Sequence, residues 1–118
     1  KILLDPPCSA SGTIKGETKH SAETLQVWNP LTIKRLAKLQ KKLLIHAFSL
    51  LKPGGTLVYS TCSLEPEENE EVVEYLLDKV GGKLEKIDLP VKADQTTGMK
   101  IWPQYQDTEG FFIAKIRK

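Results

Sequence analysis

Apolar positions along the chain follow two different periods. Two short runs, Lys1-Ile2-Leu3-Leu4 and Thr56-Leu57-Val58-Tyr59, are apolar and partly β-branched. Each passes into polar residues and a cysteine, Asp5-Pro6-Pro7-Cys8-Ser9 after the first and Ser60-Thr61-Cys62-Ser63 after the second. Such runs read as buried strands of a parallel sheet. Between them Ile33, Leu36, Ala37, Leu44, Ala47, Phe48 and Leu51 fall on one helical stripe, with Lys34, Arg35, Lys38, Lys41 and Lys42 mostly away from it. Asn29-Pro30 supplies a cap and a first helical residue, and Pro53-Gly54-Gly55 ends the helix. Strand, helix and strand make a βαβ unit, whose crossover is right-handed in nearly all cases. Both cysteines are then expected just past the carboxyl ends of strands, on the edge where open α/β sheets bind ligands.

The rest of the chain reads more loosely. Residues 9–29 lack a steady period and are expected to form a long loop. Pro66 starts another helix, with Glu67, Glu68, Glu70 and Glu71 loading its first turns. Negative charge there complements the helix dipole, which explains the acidic run better than metal binding does. Val72, Val73, Leu76, Leu77 and Val80 form its apolar face, and Gly81-Gly82 stops it. Leu84 to Asp88 is expected to be a short strand, residues 89–110 a second long loop and Phe111 to Ile116 the last strand. Gly54-Gly55 precedes a strand, whereas phosphate loops follow one.

Composition narrows the class. A chain of 118 residues allows one domain at most, and 40% hydrophobic with 27% charged residues is ordinary for a globular protein. No run approaches the roughly 18 apolar residues of a membrane span, and the chain opens inside a strand without the pattern of a signal peptide, which suggests a fragment. The two cysteines are unclustered and lack metal-ligand spacing, so free thiols are expected. The net charge of +2 conceals an asymmetry: residues 1–50 hold eight Lys/Arg against three Asp/Glu, a balance of +5, and residues 51–118 hold nine against twelve, a balance of −3. A basic segment beside the site suits a phosphate backbone, and it equally suits a solvated helix face.

Taken together, Asp5-Pro6-Pro7-Cys8-Ser9, Leu51-Lys52-Pro53-Gly54-Gly55, Ser60-Thr61-Cys62-Ser63, Glu65-Pro66-Glu67-Glu68-Asn69-Glu70 and the tail Glu109-Gly110-Phe111-Phe112-Ile113-Ala114-Lys115 resemble the RNA cytosine-5 methyltransferases of the NOL/NOP/SUN-domain family. The resemblance runs from Lys1 to Lys118. It implies the second half of a Rossmann-like, S-adenosylmethionine-dependent methyltransferase fold. That is an α/β domain over 1–118 with a mostly parallel sheet, an antiparallel last strand between its two predecessors, and the cofactor-binding half lying upstream.

The same resemblance implies the chemistry. Carbon 5 of cytosine is a poor nucleophile until a thiolate adds at carbon 6. Cys62 matches the nucleophile, and Cys8 matches the second cysteine, which helps release the product. Asp5 matches an acidic residue bordering cofactor and base, with Pro6 beside it on the cofactor side. S-adenosylmethionine is the implied cofactor, tRNA or rRNA the implied partner and the cytoplasm the implied location, without metal or membrane. Lys34, Lys38, Lys41 and Lys42 are candidate RNA contacts, as is Trp28, which would either stack on a base or anchor its loop on the core. Ala10 stands where relatives more often have Gly. Ala is expected not to reach positive φ, which puts the loop's path in question.

No glycine-rich turn between a strand and a helix is found, so the chain alone is expected to bind the cofactor poorly and turn over nothing. The first strand would then lack a neighbour and favour self-association. Two other readings stay open. One is a non-enzymatic α/β module that binds RNA or protein. The other is an amino-group methyltransferase, whose Asp-Pro-Pro is usually followed by an aromatic residue where Cys8 stands here.

Overall fold

The computed structural model describes residues 1–16, 18–105 and 107–118. Strand β1 (Ile2–Leu4) leads through a 3-10 turn at Ser11–Thr13 to helix α1 (Lys19–Val27) and the long helix α2 (Pro30–Leu50). Strand β2 (Thr56–Thr61) follows, then a 3-10 turn at Pro66–Glu68 and helix α3 (Glu70–Val80). Strands β3 (Lys83–Glu85), β4 (Asp94–Gln95), β5 (Met99–Ile101) and β6 (Phe111–Arg117) complete the chain.

The expected parallel pair is present: β1 lies beside β2, with Ile2 opposite Leu57 and Leu4 opposite Tyr59. Strand β6 runs antiparallel to β2 along its whole length, from Thr56 opposite Arg117 to Thr61 opposite Phe112. On its other side β6 pairs antiparallel with β3 near its end and with β5 near its start. Strands β1, β2, β3 and β5 therefore point the same way, and β6 is inserted against them between β2 and β3. This is the α/β sheet that the sequence implied.

Helix α2 starts where Asn29 Oδ1 accepts from the Thr32 N–H at 2.9 Å and Pro30 occupies the first turn. Its buried side is Ile33, Ala37, Gln40, Leu44, Ala47 and Phe48. Of these, Leu44, Ala47 and Phe48 pack with Val72, Val73 and Leu76 of α3 and with Leu57, Tyr59, Phe112, Ala114 and Ile116 of the central strands. Truncating a side chain such as Leu44 in this core removes transfer energy and leaves a cavity, together about 2–5 kcal/mol. The core thus fixes the strand ends that carry the site.

Two segments read as loops contain regular structure. Residues 9–29 hold α1, capped where Thr18 Oγ1 accepts from the Ser21 N–H at 3.1 Å. Its buried positions are Ser21 and Thr24, while Leu25 and Val27 are exposed, so hydrophobic periodicity carries no sign of it. Residues 89–110 hold β4 and β5, two and three residues long, too short for alternation to register. The strand expected over 84–88 is Lys83–Glu85, and Val80, expected on the apolar face of α3, is exposed.

Strand β1 is hydrogen-bonded to β2 on one side, and Leu3 is 72% exposed. An unpaired apolar edge recruits another chain. The 118-residue chain on its own is expected to sediment as a dimer at high micromolar concentration. A strict monomer with β1 amides protected from exchange would contradict this.

Candidate active site

The parallel pairing sets β1 and β2 side by side, and the chain leaves both at the same edge. Cys8 and Cys62, 54 residues apart in sequence, meet there with their Sγ atoms 3.2 Å apart. Both are half-buried free thiols. A hydrogen bond between two thiols makes the first ionisation of the pair easy and the second hard. Cys62 takes the first: the thiol of Cys8 donates to it and its own backbone N–H helps, lowering it to about 7 against the opposing effects of burial and of Asp5 and Glu109. Cys8 is held far above the ordinary thiol range by that same hydrogen bond, then by burial and by the charge on Cys62. The pair is therefore an asymmetric one, in which Cys62 is the sulfur that ionises first.

Asp5, at the end of β1, is exposed, and its Oδ1 accepts from Ser60 Oγ at 3.3 Å. It lies close enough for its charge to act on Cys62. Pro6, the next residue, is buried.

The loop after Cys8 is stapled over the end of β2. The Gly12 N–H donates to the Cys62 carbonyl at 2.9 Å, and the Gly110 N–H donates to the Gly12 carbonyl at 2.7 Å. A Cβ on Gly12 would stand 2.3 Å from the Gly110 oxygen, so only glycine fits this crossing. Ala10 adopts φ 57°, ψ 24°, contrary to the expectation that alanine would not reach positive φ. This conformation costs about 1–2 kcal/mol for a residue with a Cβ. Hydrogen bonds from the Thr13 N–H and Oγ1 to the Ala10 carbonyl, at 2.9 and 2.8 Å, hold the turn in that shape.

Two carboxylates, Glu65 and Glu68, the second read in the sequence only as part of the dipole-complementing run, are bonded to the serines that follow the cysteines. Glu68 is completely buried. Its Oε1 accepts from the Ser9 N–H at 3.0 Å and from Gln40 Nε2 at 2.9 Å, and its Oε2 accepts from Ser9 Oγ at 2.5 Å. Glu65 accepts from Ser11 Oγ and, at 2.8 Å, from Trp28 Nε1. Burial pushes the Glu65 carboxyl up, but the hydrogen bonds from Ser11, Ser63 and Trp28 together hold it below the usual carboxylate range. Ser63 Oγ lies 2.6 Å from Glu65 Oε2 and 2.7 Å from Glu68 Oε2. With one hydroxyl hydrogen it donates to one of them at a time.

Asn69, also completely buried, accepts from Thr61 Oγ1 at 2.5 Å and donates to the Ser63 carbonyl at 2.8 Å, gripping Cys62 on both flanks. Lys100 of β5, 5% exposed and paired with Glu70 at 2.8 Å, donates to the Leu64 carbonyl at 3.2 Å. The sequence did carry a signal for these residues. Gln40 stands four positions before Leu44 on the buried stripe of α2, and Glu68 and Asn69 stand four before Val72 and Val73, in the turn that leads into α3.

Trp28 is joined to the site through Glu65, so its indole N–H anchors the segment, while the side chain remains 38% exposed. The four lysines lie elsewhere. Lys34, Lys38, Lys41 and Lys42 line a groove of about 630 Å³ between α2 and α3 with Ile45, His46, Ser49 and Tyr75. No carboxylate is among these lining residues. Lys41 Nζ and Lys79 Nζ stand 5.3 and 5.8 Å from the Tyr75 ring centre. Among the described residues no cluster of His, Cys, Asp and Glu suits a metal, and no helix is long and apolar enough to cross a membrane.

Comparison with known proteins identifies the family. The family model described as 16S rRNA methyltransferase RsmB/F matches residues 1–117. The chain belongs to this family. It is 42% identical over 132 residues to a tRNA (cytosine(49)-C(5))-methyltransferase of Pyrococcus abyssi, a match covering 100% of the chain and 41% of that protein. It is 43% identical over 124 residues to a ribosomal RNA small subunit methyltransferase F of Aeromonas salmonicida, covering 99% of the chain and 25% of the relative. Among solved structures, NSun6 from Pyrococcus horikoshii with SFG superposes with a TM-score of 0.83 at 36% identity, over 100% of this chain and 29% of that one. The chain thus spans between a quarter and two fifths of the length of these relatives.

Proposed function

We propose that this chain is the catalytic half of an RNA cytosine-5 methyltransferase acting on tRNA or rRNA in the cytoplasm. The observation that carries the reading is the 3.2 Å approach of Cys62 and Cys8 at the carboxyl edge of the parallel pair, which makes Cys62 the sulfur that ionises first. A binding module has no need of an activated thiol pair, and an amino-group methyltransferase has no use for one.

In this reading the Cys62 thiolate adds to carbon 6 of the cytosine, and carbon 5 gains the electron density to attack an electrophilic methyl group. S-adenosylmethionine supplies that methyl group when bound; the relative from Pyrococcus horikoshii was solved with SFG, an analogue of it. A base then takes the proton from carbon 5, the ring double bond re-forms and Cys62 leaves as thiolate. Cys8 stands beside the sulfur that must leave. Asp5, exposed at the end of β1, suits the border between the cytosine amino edge and the methyl donor, with the backbone at Pro6 next to it. The lysine groove with Tyr75 suits RNA phosphates and an unpaired base, and the exposed part of Trp28 offers a second stacking surface.

Two experiments test the reading in the protein completed by a cofactor-binding half. Cys62→Ala is expected to abolish methyl transfer, and Cys8→Ala to accumulate a denaturant-resistant protein–RNA adduct visible as a gel shift. Multiple turnover by Cys62→Ala would sink the assignment. Replacing Lys34, Lys38, Lys41 and Lys42 together with Gln is expected to flatten the dependence of log affinity on log salt by about 0.7 for each phosphate that is no longer neutralised. An unchanged slope would make these lysines a solvated helix face.

A further inference from the structure

The two sulfurs are closer than the backbones that carry them. Neighbouring strands lie about 4.8 Å apart, yet Cys8 and Cys62 sit in loops beyond the strand ends and approach to 3.2 Å. Strand pairing ends at Leu4 and Tyr59, so hydrogen bonds outside the sheet fix the loops that carry the two sulfurs. Only one side chain is bonded to the residue following each cysteine and is itself completely buried among the described residues, and that is Glu68.

We infer that Glu68 is a positioning residue, a buried clamp whose carboxylate holds the Cys8 and Cys62 loops in register so that the thiol of Cys8 can donate to the sulfur of Cys62. The inference rests on the methyltransferase reading for its purpose and on the hydrogen bonds alone for its geometry. On the Cys8 side the clamp takes two donors from Ser9, backbone and hydroxyl, at 3.0 and 2.5 Å. On the Cys62 side it shares the Ser63 hydroxyl with Glu65, and Ser9 Oγ and Ser63 Oγ are themselves 3.1 Å apart. Gln40 completes the ring, donating from Nε2 to Glu68 Oε1 and to the Pro7 carbonyl, each at 2.9 Å. The residues on both sides of Cys8 are thereby tied to one carboxylate. The Glu68 backbone is fixed in turn, its carbonyl accepting from the buried Tyr59 hydroxyl at 2.6 Å.

Among the described residues no Lys, Arg or His forms an ion pair with Glu68. Burying a carboxyl with neutral donors alone costs free energy unless each lone pair is used. A helix N-terminus needs no such residue for capping, because Glu67, Glu70 and Glu71 already place negative charge there at lesser depth. Glu65 also meets hydroxyls of both loops, Ser9 Oγ at 3.3 Å and Ser63 Oγ at 2.6 Å, but it is only half-buried. Complete burial and the bond from the Ser9 backbone N–H are what distinguish Glu68.

The test reads the thiol directly and uses neither RNA nor cofactor. Iodoacetamide alkylation of Cys62, followed by peptide mass spectrometry across pH, is expected to show a midpoint near 7 in the unaltered protein. In Glu68→Gln, which keeps the volume but presents an amide N–H₂ where two hydroxyls donate, the midpoint is expected to rise by at least about one pH unit. That corresponds to about a tenfold loss of rate below both midpoints. Cooperative thermal unfolding confirms that the variant is folded. If Glu68→Gln does not fold, the double variant Ser9→Ala/Ser63→Ala, which keeps both carboxylates and removes their shared hydroxyl links, is expected to show the same rise, while Glu65→Gln alone is expected to leave the midpoint unchanged. A folded Glu68→Gln or double variant with an unchanged Cys62 midpoint overturns the clamp. Methyl transfer is absent from this readout, so such a result leaves the methyltransferase reading standing, and that reading fails separately if Cys62→Ala still turns over.

Discussion

Parallel pairing over Ile2–Leu57, Leu3–Val58 and Leu4–Tyr59 brings together two strand ends that lie far apart in sequence. Every other feature of the site is built on that pairing. Parallel strands require a crossover, and α2 supplies it, packing on the sheet through Leu44, Ala47 and Phe48. The same helix turns Gln40 inward, so the element that closes the βαβ unit also reaches the Pro7 carbonyl beside Cys8. Strand β6 then fills the place next to β2 and delivers Gly110 to the crossing with Gly12, which covers the site from the loop side.

Electrostatically, the site concentrates negative charge while keeping one sulfur ionisable. Asp5 and Glu109 oppose a thiolate on Cys62, and burial opposes it further. The hydrogen bond from Cys8 outweighs them. A shared proton therefore does here what a neighbouring His or a helix N-terminus does for other reactive cysteines. The arrangement also separates two tasks, since a sulfur that must attack and leave needs a low pKa, and its neighbour needs to hold a proton. The carboxylates of Glu65 and Glu68 are met by Ser9, Ser11, Ser63 and Trp28, so their charge is engaged by hydrogen bonds.

Strongly periodic elements were legible in the sequence. The two apolar runs, the α2 stripe with its Asn29-Pro30 start, and the α3 stripe from Val72 to Leu77 reflect burial against one sheet, which is what periodicity measures. Helix α1 was hidden because it buries Ser21 and Thr24, and β4 and β5 because two or three residues do not establish alternation. At the site, the cysteines were visible as paired motifs, while Glu68 and Asn69 were not. An acidic run before a helix has an ordinary explanation in the dipole, and it masked the fact that Glu68, with Asn69 beside it, stands four positions before the buried Val72 and Val73. For Trp28 the residue type left stacking and anchoring open, and the hydrogen bond to Glu65 adds the anchor.

Identity of the attacking sulfur is the central claim, and a mechanism-based trap tests it most directly. A cytosine carrying fluorine at carbon 5 accepts the thiolate and the methyl group but has no proton to lose there, so the enzyme cannot leave. Incubating the cofactor-complete protein with S-adenosylmethionine and 5-fluorocytosine-substituted tRNA or rRNA, then digesting it and mapping the modified peptide by mass spectrometry, reports which cysteine is bonded to the base. The geometry predicts the adduct on Cys62. An adduct on Cys8, or none under conditions where ordinary RNA is methylated, would contradict it.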